Sequence, residues 1–207
     1  MQLWHKINAN VGGRKGEVLG NENFYKFAVL LPLIEVKDEL HVLFEVRAHT
    51  LRRQPGEVCF PGGKVDRTDD SPLKAATRET CEELGVSEND LQVIGELDYL
   101  VSSFQSIVYP FLGVINKDTT LSHNPEEVEE VFTVPLSYFI SNPPERHDIK
   151  IHVKPDESFP FHLIPNGEEY NWSSSVLPEF FYYYKDYVIW GMTARILYHF
   201  VQLISEQ

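Results

Sequence analysis

At 207 residues, 43% hydrophobic and 24% charged, the chain suits a single soluble domain over residues 1–207, large enough to bury a core of its own. A formal charge of −13 argues against broad nucleic-acid binding, which needs a basic footprint, yet it leaves room for a small anionic substrate met by a few arginines or by metal ions. No apolar run is long enough to span a membrane, the start lacks a basic segment followed by an apolar one, and the closing SEQ matches no targeting signal, so a cytoplasmic protein is expected.

Residues 24–48 read as strands. FYKFAVLLPLIEV and LHVLFEVRA are rich in Val, Leu and Phe, and KDE between them supplies a turn. GEVCFPGG is a short strand running into a turn at Gly62 and Gly63. A helix is predicted in SPLKAATRETCEELG, where Ser71 is the N-cap, Pro72 opens the first turn and Gly85 is the stop. Leu73, Ala76, Thr80 and Leu84 form its packing stripe. Cys59 falls in the short strand and Cys81 in the helix; two cysteines without zinc-ligand spacing read as reduced structural thiols. LQVIGELDYL, SIVYPFLGVI and EEVFTVPLSYF read as further strands or strand-plus-turn pieces. Residues 141–178 are proline-rich and polar, with IKIHVK and FPFHLI as short strands. FFYYYKDYVIW suggests a hairpin or strand, and GMTARILYHFVQLISE a closing amphipathic helix. Strands interrupted by one central and one terminal helix predict an α/β sandwich with a mixed sheet.

The central helix raises a chemical question. Glu79, Glu82 and Glu83 are three and four residues apart, on neighbouring positions of one face, away from the Leu73/Leu84 stripe. Read blandly, this is a solvated acidic face. Yet like charges at such spacings repel, and these lie near the C-terminal end of the helix, where the dipole favours cations. A bound divalent cation would remove both penalties. Hard ions such as Mg²⁺ take carboxylate oxygens, keep several waters and are shared with substrate phosphates.

The stretch FPGGKVDRTDDSPLKAATRETCEELGV resembles the Nudix box: a glycine, five residues, Glu, seven residues, then Arg-Glu-x-x-Glu-Glu-x-Gly and an aliphatic residue. Gly63 begins it and RETCEELGV, residues 78–86, completes it. Three departures stand out: one extra residue between Gly63 and Arg78, Asp69 or Asp70 in place of the middle Glu, and Thr80 where an aliphatic residue is usual. Upstream, LFEVRAHTLRRQPGEVCFPGG resembles a signature of the coenzyme A pyrophosphatase branch, Leu-Leu-Thr-x-Arg-Ser-x3-Arg-x3-Gly-x-Val-x-Phe-Pro-Gly-Gly. Arg47, Arg52, Gly56, Val58, Phe60, Pro61, Gly62 and Gly63 fall in register, while Phe44, Glu45 and Ala48 replace the Leu, Thr and Ser. NPEEVEEVFTVPLSYF and IWGMTARIL look like later segments of the same branch.

The resemblance implies a Nudix-type α/β/α sandwich with a mixed β-sheet and a metal-dependent hydrolysis of a pyrophosphate. For coenzyme A the products would be 3′,5′-ADP and 4′-phosphopantetheine. It implies Mg²⁺ or Mn²⁺ held by Glu79, Glu82 and Glu83, with Glu82 a ligand or the general base and the Gly62/Gly63 turn adding a backbone carbonyl. Glu82, Glu83 and Arg78 form the catalytic set, Arg78 by orienting the glutamates; a surface pair with Glu82 is its plainer reading. Arg47, Arg52 and Arg53 are the candidates for substrate phosphates, against the plainer reading of a solvated loop. Glu126, Glu127, Glu129 and Glu130 either supply a base or form a solvated turn. The aromatics Phe180 to Tyr184, Tyr187 and Trp190 either stack an adenine or pack across strands. The histidines show no ligand spacing. Related enzymes often pair, so a homodimer joins the expectations. Two alternatives to coenzyme A hydrolysis are hydrolysis of ADP-ribose or another nucleoside diphosphate derivative, and a non-catalytic nucleotide sensor, which loss of a box glutamate would favour.

Overall fold

The computed structural model describes residues 1–102 and 105–205. After α1 (Gln2–Val11), the chain runs through β1 (Tyr25–Val36), β2 (Glu39–Arg47), β3 (Val58–Cys59), β4 (Gly62–Lys64), α2 (Pro72–Leu84), β5 (Leu91–Glu96), β6 (Leu100–Ser102) and β7 (Ser106–Ile115). It continues through β8 (Val128–Pro135), α3 (Leu136–Ser141), β9 (Glu145–His152), β10 (Ser174–Tyr184), β11 (Tyr187–Trp190) and α4 (Gly191–Ser205). Among the described residues eight strands join in a mixed sheet in the order β3-β2-β1-β7-β5, with β4 also on β1, β6 on β7 and β8 on β2. A second sheet holds β11-β10-β9.

β1 is the axis of the fold. It runs parallel to β7 from Tyr25↔Ser106 to Ile34↔Ile115 and antiparallel to β2 through a tight turn. That turn is Lys37-Asp38, with φ of 52° and 65°, the left-handed pair that matches the twist of a two-residue hairpin. Pro32 sits mid-strand without breaking it. On its other edge β1 pairs with β4 at Phe27–Val29 and with β2 only from Leu33, so the proline lies between two partners. Leu30, two residues earlier, donates its N–H to Pro61 on that edge, so the missing N–H of Pro32 points to the gap and costs no ladder bond.

Side-chain alternation along β1 builds both faces. Ala28 and Leu30 pack with Ala75 and Ala76 of α2, and Ile34 packs with Leu84. Leu31 and Leu33 pack with Ala194, Ile196, Leu197 and Phe200 of α4. The result is the expected α/β/α sandwich. The second sheet closes over the α4 side, where Tyr182 and Ile189 are buried and Phe132 stacks on Tyr187 with centroids 3.7 Å apart. Tyr182 is therefore part of the core, and Phe180, Tyr184 and Tyr187 are half-buried against it.

Several sequence expectations are corrected. FPFHLI is not a strand: Phe161–Leu163 is one turn of 3-10 helix. The strand read in EEVFTVPLSYF ends at Pro135, and LSYFI continues as a helix. α1 was not foreseen, although Leu3, Trp4, Ile7 and Val11 recur at helical spacing; none of its residues is buried, and this apolar face stays exposed. The last residue of the predicted closing helix, Glu206, and most of the SEQ terminus lie outside the described residues.

Candidate metal and substrate site

The Gly-rich turn and the helix meet because β4 pairs with β1, Gly62 opposite Val29 and Gly63 opposite Ala28. Gly62 has φ +149°, and a side chain there would strike the backbone of Ala28 and Val29. Its N–H donates to Glu83 Oε2 at 2.8 Å, tying the turn to the last turn of α2. α2 is framed as its sequence predicts. The Ser71 hydroxyl accepts from Lys74 N at 3.3 Å, Pro72 opens the helix, and Gly85 ends it at φ +65°. Thr80 is fully buried, and its hydroxyl donates to Ala76 O at 2.7 Å, which lets a threonine occupy an aliphatic position without an unpaired oxygen. Ser122 N and Asn124 N donate to the terminal carbonyls of Leu84 and Glu83, so the segment before β8 caps the helix.

Arg78 organises the acidic cluster. Its Nε and Nη2 donate to the two oxygens of Asp69, each at 3.1 Å, a bidentate fork. Its Nη1 reaches Glu79 Oε1 at 2.9 Å and Glu82 Oε2 at 3.2 Å. The Asp69 side chain is only 6% exposed and also accepts from Asp66 N, so the loop before the helix is fastened at both ends. Hydrogen bonds from Arg78 hold the Asp69 carboxyl below the usual range, and in turn Asp69 and Glu79 hold the guanidinium above its own. The open choice between Asp69 and Asp70 resolves to Asp69.

Glu83 is different. It is 5% exposed and turned inward, and among the described residues it has no ion-pair partner. Burial raises its pKa, and the charge of Glu45 raises it further, against the bond from Gly62. Burial likewise raises Glu79, with Arg78 opposing. Glu79 lies against Gly63 so closely that a Cβ there would stand 2.5 Å from its carboxyl carbon. Glu82 stays largely in solvent at 56% exposure.

Sequence reasoning passed over Glu45 as no more than a replaced threonine. It is 1% exposed, on the same side of β2 as Leu43, which packs against Leu84. Burial is the main cause of its raised pKa. The Cys59 thiol donates to Oε1 at 3.2 Å, and both cysteines are free. Of the downstream acids, Glu127 is the one whose charge is felt at Glu45, Glu79 and Glu83 alike; its carboxylate accepts from Asn124 at 3.2 Å.

A cleft of about 370 Å³ opens beside the turn, walled by Arg47, Arg53, Phe60, Gly62, Gly63 and Trp190. Arg47 Nε donates to Arg53 O at 3.4 Å, which joins the two arginines of this wall. Arg52 is not part of it. The first turn of α4, Gly191 to Thr193, also lines it. A larger, more open hollow of about 1070 Å³ shares Glu57, Val58 and Trp190 with the cleft.

The donors fit a hard divalent cation: inward carboxylates, backbone brought close by two glycines, and Glu45 Oε2 buried with no partner. Among the described residues no three His, Cys, Asp or Glu side chains stand together as a ready-made cage. Mg²⁺ does not need one, since one or two carboxylates with waters and substrate phosphates suffice. Among the described residues no helix is long and apolar enough to cross a membrane.

The NUDIX domain family matches residues 25–156, which contain the turn, the helix and the capping segment. The chain belongs to the NUDIX family and is a hydrolase acting on pyrophosphate bonds. Hydrolases of this family act on small nucleoside diphosphate compounds and generally use divalent metals such as Mg²⁺ or Mn²⁺. It is 32% identical over 205 residues to the peroxisomal coenzyme A diphosphatase NUDT7 of Mus musculus, covering 96% of this chain and 77% of that protein. It is also 32% identical over 185 residues to the uncharacterized Nudix hydrolase NudL of Photorhabdus laumondii, covering 89% and 88%. The crystal structure of a MutT/nudix family protein from Enterococcus faecalis shares the fold, with a TM-score of 0.51 at 16% identity over all of this chain and 70% of that one.

Proposed function

We propose that the chain hydrolyses the diphosphate of coenzyme A or its derivatives, releasing 3′,5′-ADP and 4′-phosphopantetheine or its acylated form. The observation that carries this reading is the cleft. Arg47 and Arg53, from the segment that resembles the coenzyme A signature, share its wall with Gly62 and Gly63, and the box glutamates adjoin that turn. The likeness to a coenzyme A diphosphatase supports the same substrate class. The adjoining larger hollow suits an elongated substrate. In this reading residues 1–207 act as one domain, and the two free thiols support a reducing compartment such as the cytoplasm.

The reaction adds water across the P–O–P bridge: one P–O bond forms to the water oxygen, the bridging P–O bond breaks, and the water proton passes to a base. Arg47 and Arg53 orient and neutralise the phosphates. Glu79 and Glu83 are the inner ligands for Mg²⁺ or Mn²⁺, which when bound would withdraw charge from phosphate oxygens and polarise the attacking water. Glu82, solvent-facing and held by Arg78, serves as a further ligand or as the base. Arg78 positions the glutamates through Asp69 and does not itself react.

Purified protein with Mg²⁺ or Mn²⁺, given coenzyme A and ADP-ribose separately with product identification, tests the proposal. Release of 3′,5′-ADP from coenzyme A is expected. Cleavage of ADP-ribose alone would overturn the substrate assignment. Glu83→Gln should abolish turnover while the protein stays folded, and retained activity would remove the metal-ligand role.

A further inference from the structure

We infer that Glu45 is itself a ligand of the divalent cation, forming with Glu83 an inner carboxylate wall where the related signature carries a threonine. The inference rests on the metal-site reading of Glu83 above. β2 aims Glu45 at α2, since Leu43, two residues earlier on the same side, packs against Leu84, the neighbour of Glu83. Glu45 is also the charged group that bears most on Glu83.

The side chain is nearly sealed from solvent, at 1% exposure. One oxygen accepts from the Cys59 thiol at 3.2 Å, a weak donor; the other, Oε2, is buried with no hydrogen-bond partner in the protein. Among the described residues neither Glu45 nor Glu83 makes an ion pair: Arg78 contacts Asp69, Glu79 and Glu82, and Arg47, two residues on from Glu45, acts on it as a nearby charge without a direct bridge. A structural acid satisfied by Cys59 would use both oxygens or face water, and Glu45 does neither. A hard divalent cation held by Glu83 would also give the buried Glu45 Oε2 a partner. Threonine at this position offers one neutral oxygen, so the exchange adds an anionic ligand.

Mn²⁺ binding to the full chain without substrate, followed by titration calorimetry and by electron paramagnetic resonance of free Mn²⁺, tests this. Thermal unfolding with and without Mn²⁺ runs in parallel. Glu45→Gln should weaken Mn²⁺ binding at least about 10-fold and remove most of the Mn²⁺-induced rise in Tm, with a cooperative unfolding transition retained in the metal-free protein. Glu45→Thr, the residue of the related signature, should weaken binding likewise and keeps the test open if Glu45→Gln does not fold. If the Glu45 variants bind Mn²⁺ like the wild type while Glu83→Gln binds at least about 10-fold more weakly, this inference fails and the metal reading of Glu83 stands. If Glu83→Gln also binds like the wild type, or the wild type binds no Mn²⁺, both fail.

Discussion

Replacing Gly63 with alanine tests where the Glu79 carboxylate stands. A Cβ at Gly63 would lie 2.5 Å from the carboxyl carbon of Glu79 and 2.6 Å and 2.9 Å from its oxygens. Non-bonded carbons rest about 3.5–4.0 Å apart, so the carboxyl group has to retreat by about 1 Å. The backbone tolerates the change, because the φ of Gly63 is outside the left-handed region. What moves is the end of a flexible side chain, so the fold pays little: a shift of about 1 kcal/mol corresponds to roughly 2–4 °C in a domain of this size. Catalysis is less forgiving, since a misplacement of about 1 Å can cost on the order of 100-fold. G63A should therefore unfold within a few degrees of the wild type and lose about two orders of magnitude in kcat. Differential scanning fluorimetry and steady-state hydrolysis with Mg²⁺ or Mn²⁺ measure both. Gly62→Ala is the contrast. There φ is +149° and the new Cβ meets backbone, with Val29 Cα at 2.6 Å, so the fold itself should fail. A folded G63A enzyme with near wild-type turnover would refute the placement of Glu79 against this turn as the working geometry.

The arginines and the buried acids give two more expectations. Arg47→Ala and Arg53→Ala should raise KM for coenzyme A by about 10–100-fold, the loss of a charge-assisted hydrogen bond, whereas Arg52→Ala, outside the cleft, should change it little; equal effects at all three positions would count against the cleft as the phosphate site. In metal-free protein Glu83 and Glu45 have pKa values raised above the ordinary 4.5 by burial, so the folded chain binds more protons than the unfolded one. Their contribution is then present below the ordinary value and is lost as pH rises through the raised folded values. Tm in EDTA should fall from about pH 5 to pH 8 more steeply for the wild type than for Glu83→Gln, and a steeper fall in the variant would contradict the sign.

Much of the site was legible because it is local. Ser71, Pro72 and Gly85 mark the helix by capping chemistry, and the spacing of Glu79, Glu82 and Glu83 follows from the helical repeat. The departures from the box were legible as departures without their resolution. Counting six positions on from Gly63 reaches Asp69, and the fork to Arg78 shows that the shorter acid still spans the gap. The extra residue therefore falls between Asp69 and Arg78. Thr80 reads as a polar intruder until its hydroxyl is seen bonded to the turn above. The three arginines looked equivalent within seven positions, and the path of the loop between β2 and β3 is what turns Arg47 and Arg53, but not Arg52, to the cleft.

By itself the sequence determined the elements and the chemical types at the site, because capping, side-chain periodicity and turn residues act over a few neighbours. Only the tertiary structure decided which charges meet. Arg78 is divided among Asp69, Glu79 and Glu82, Glu83 turns inward onto the Gly62 amide, and Glu45 comes to α2 from a strand 38 positions earlier in the chain. Those pairings depend on strand order and on the face each strand presents, and burial then sets which carboxylates are pushed above their ordinary pKa.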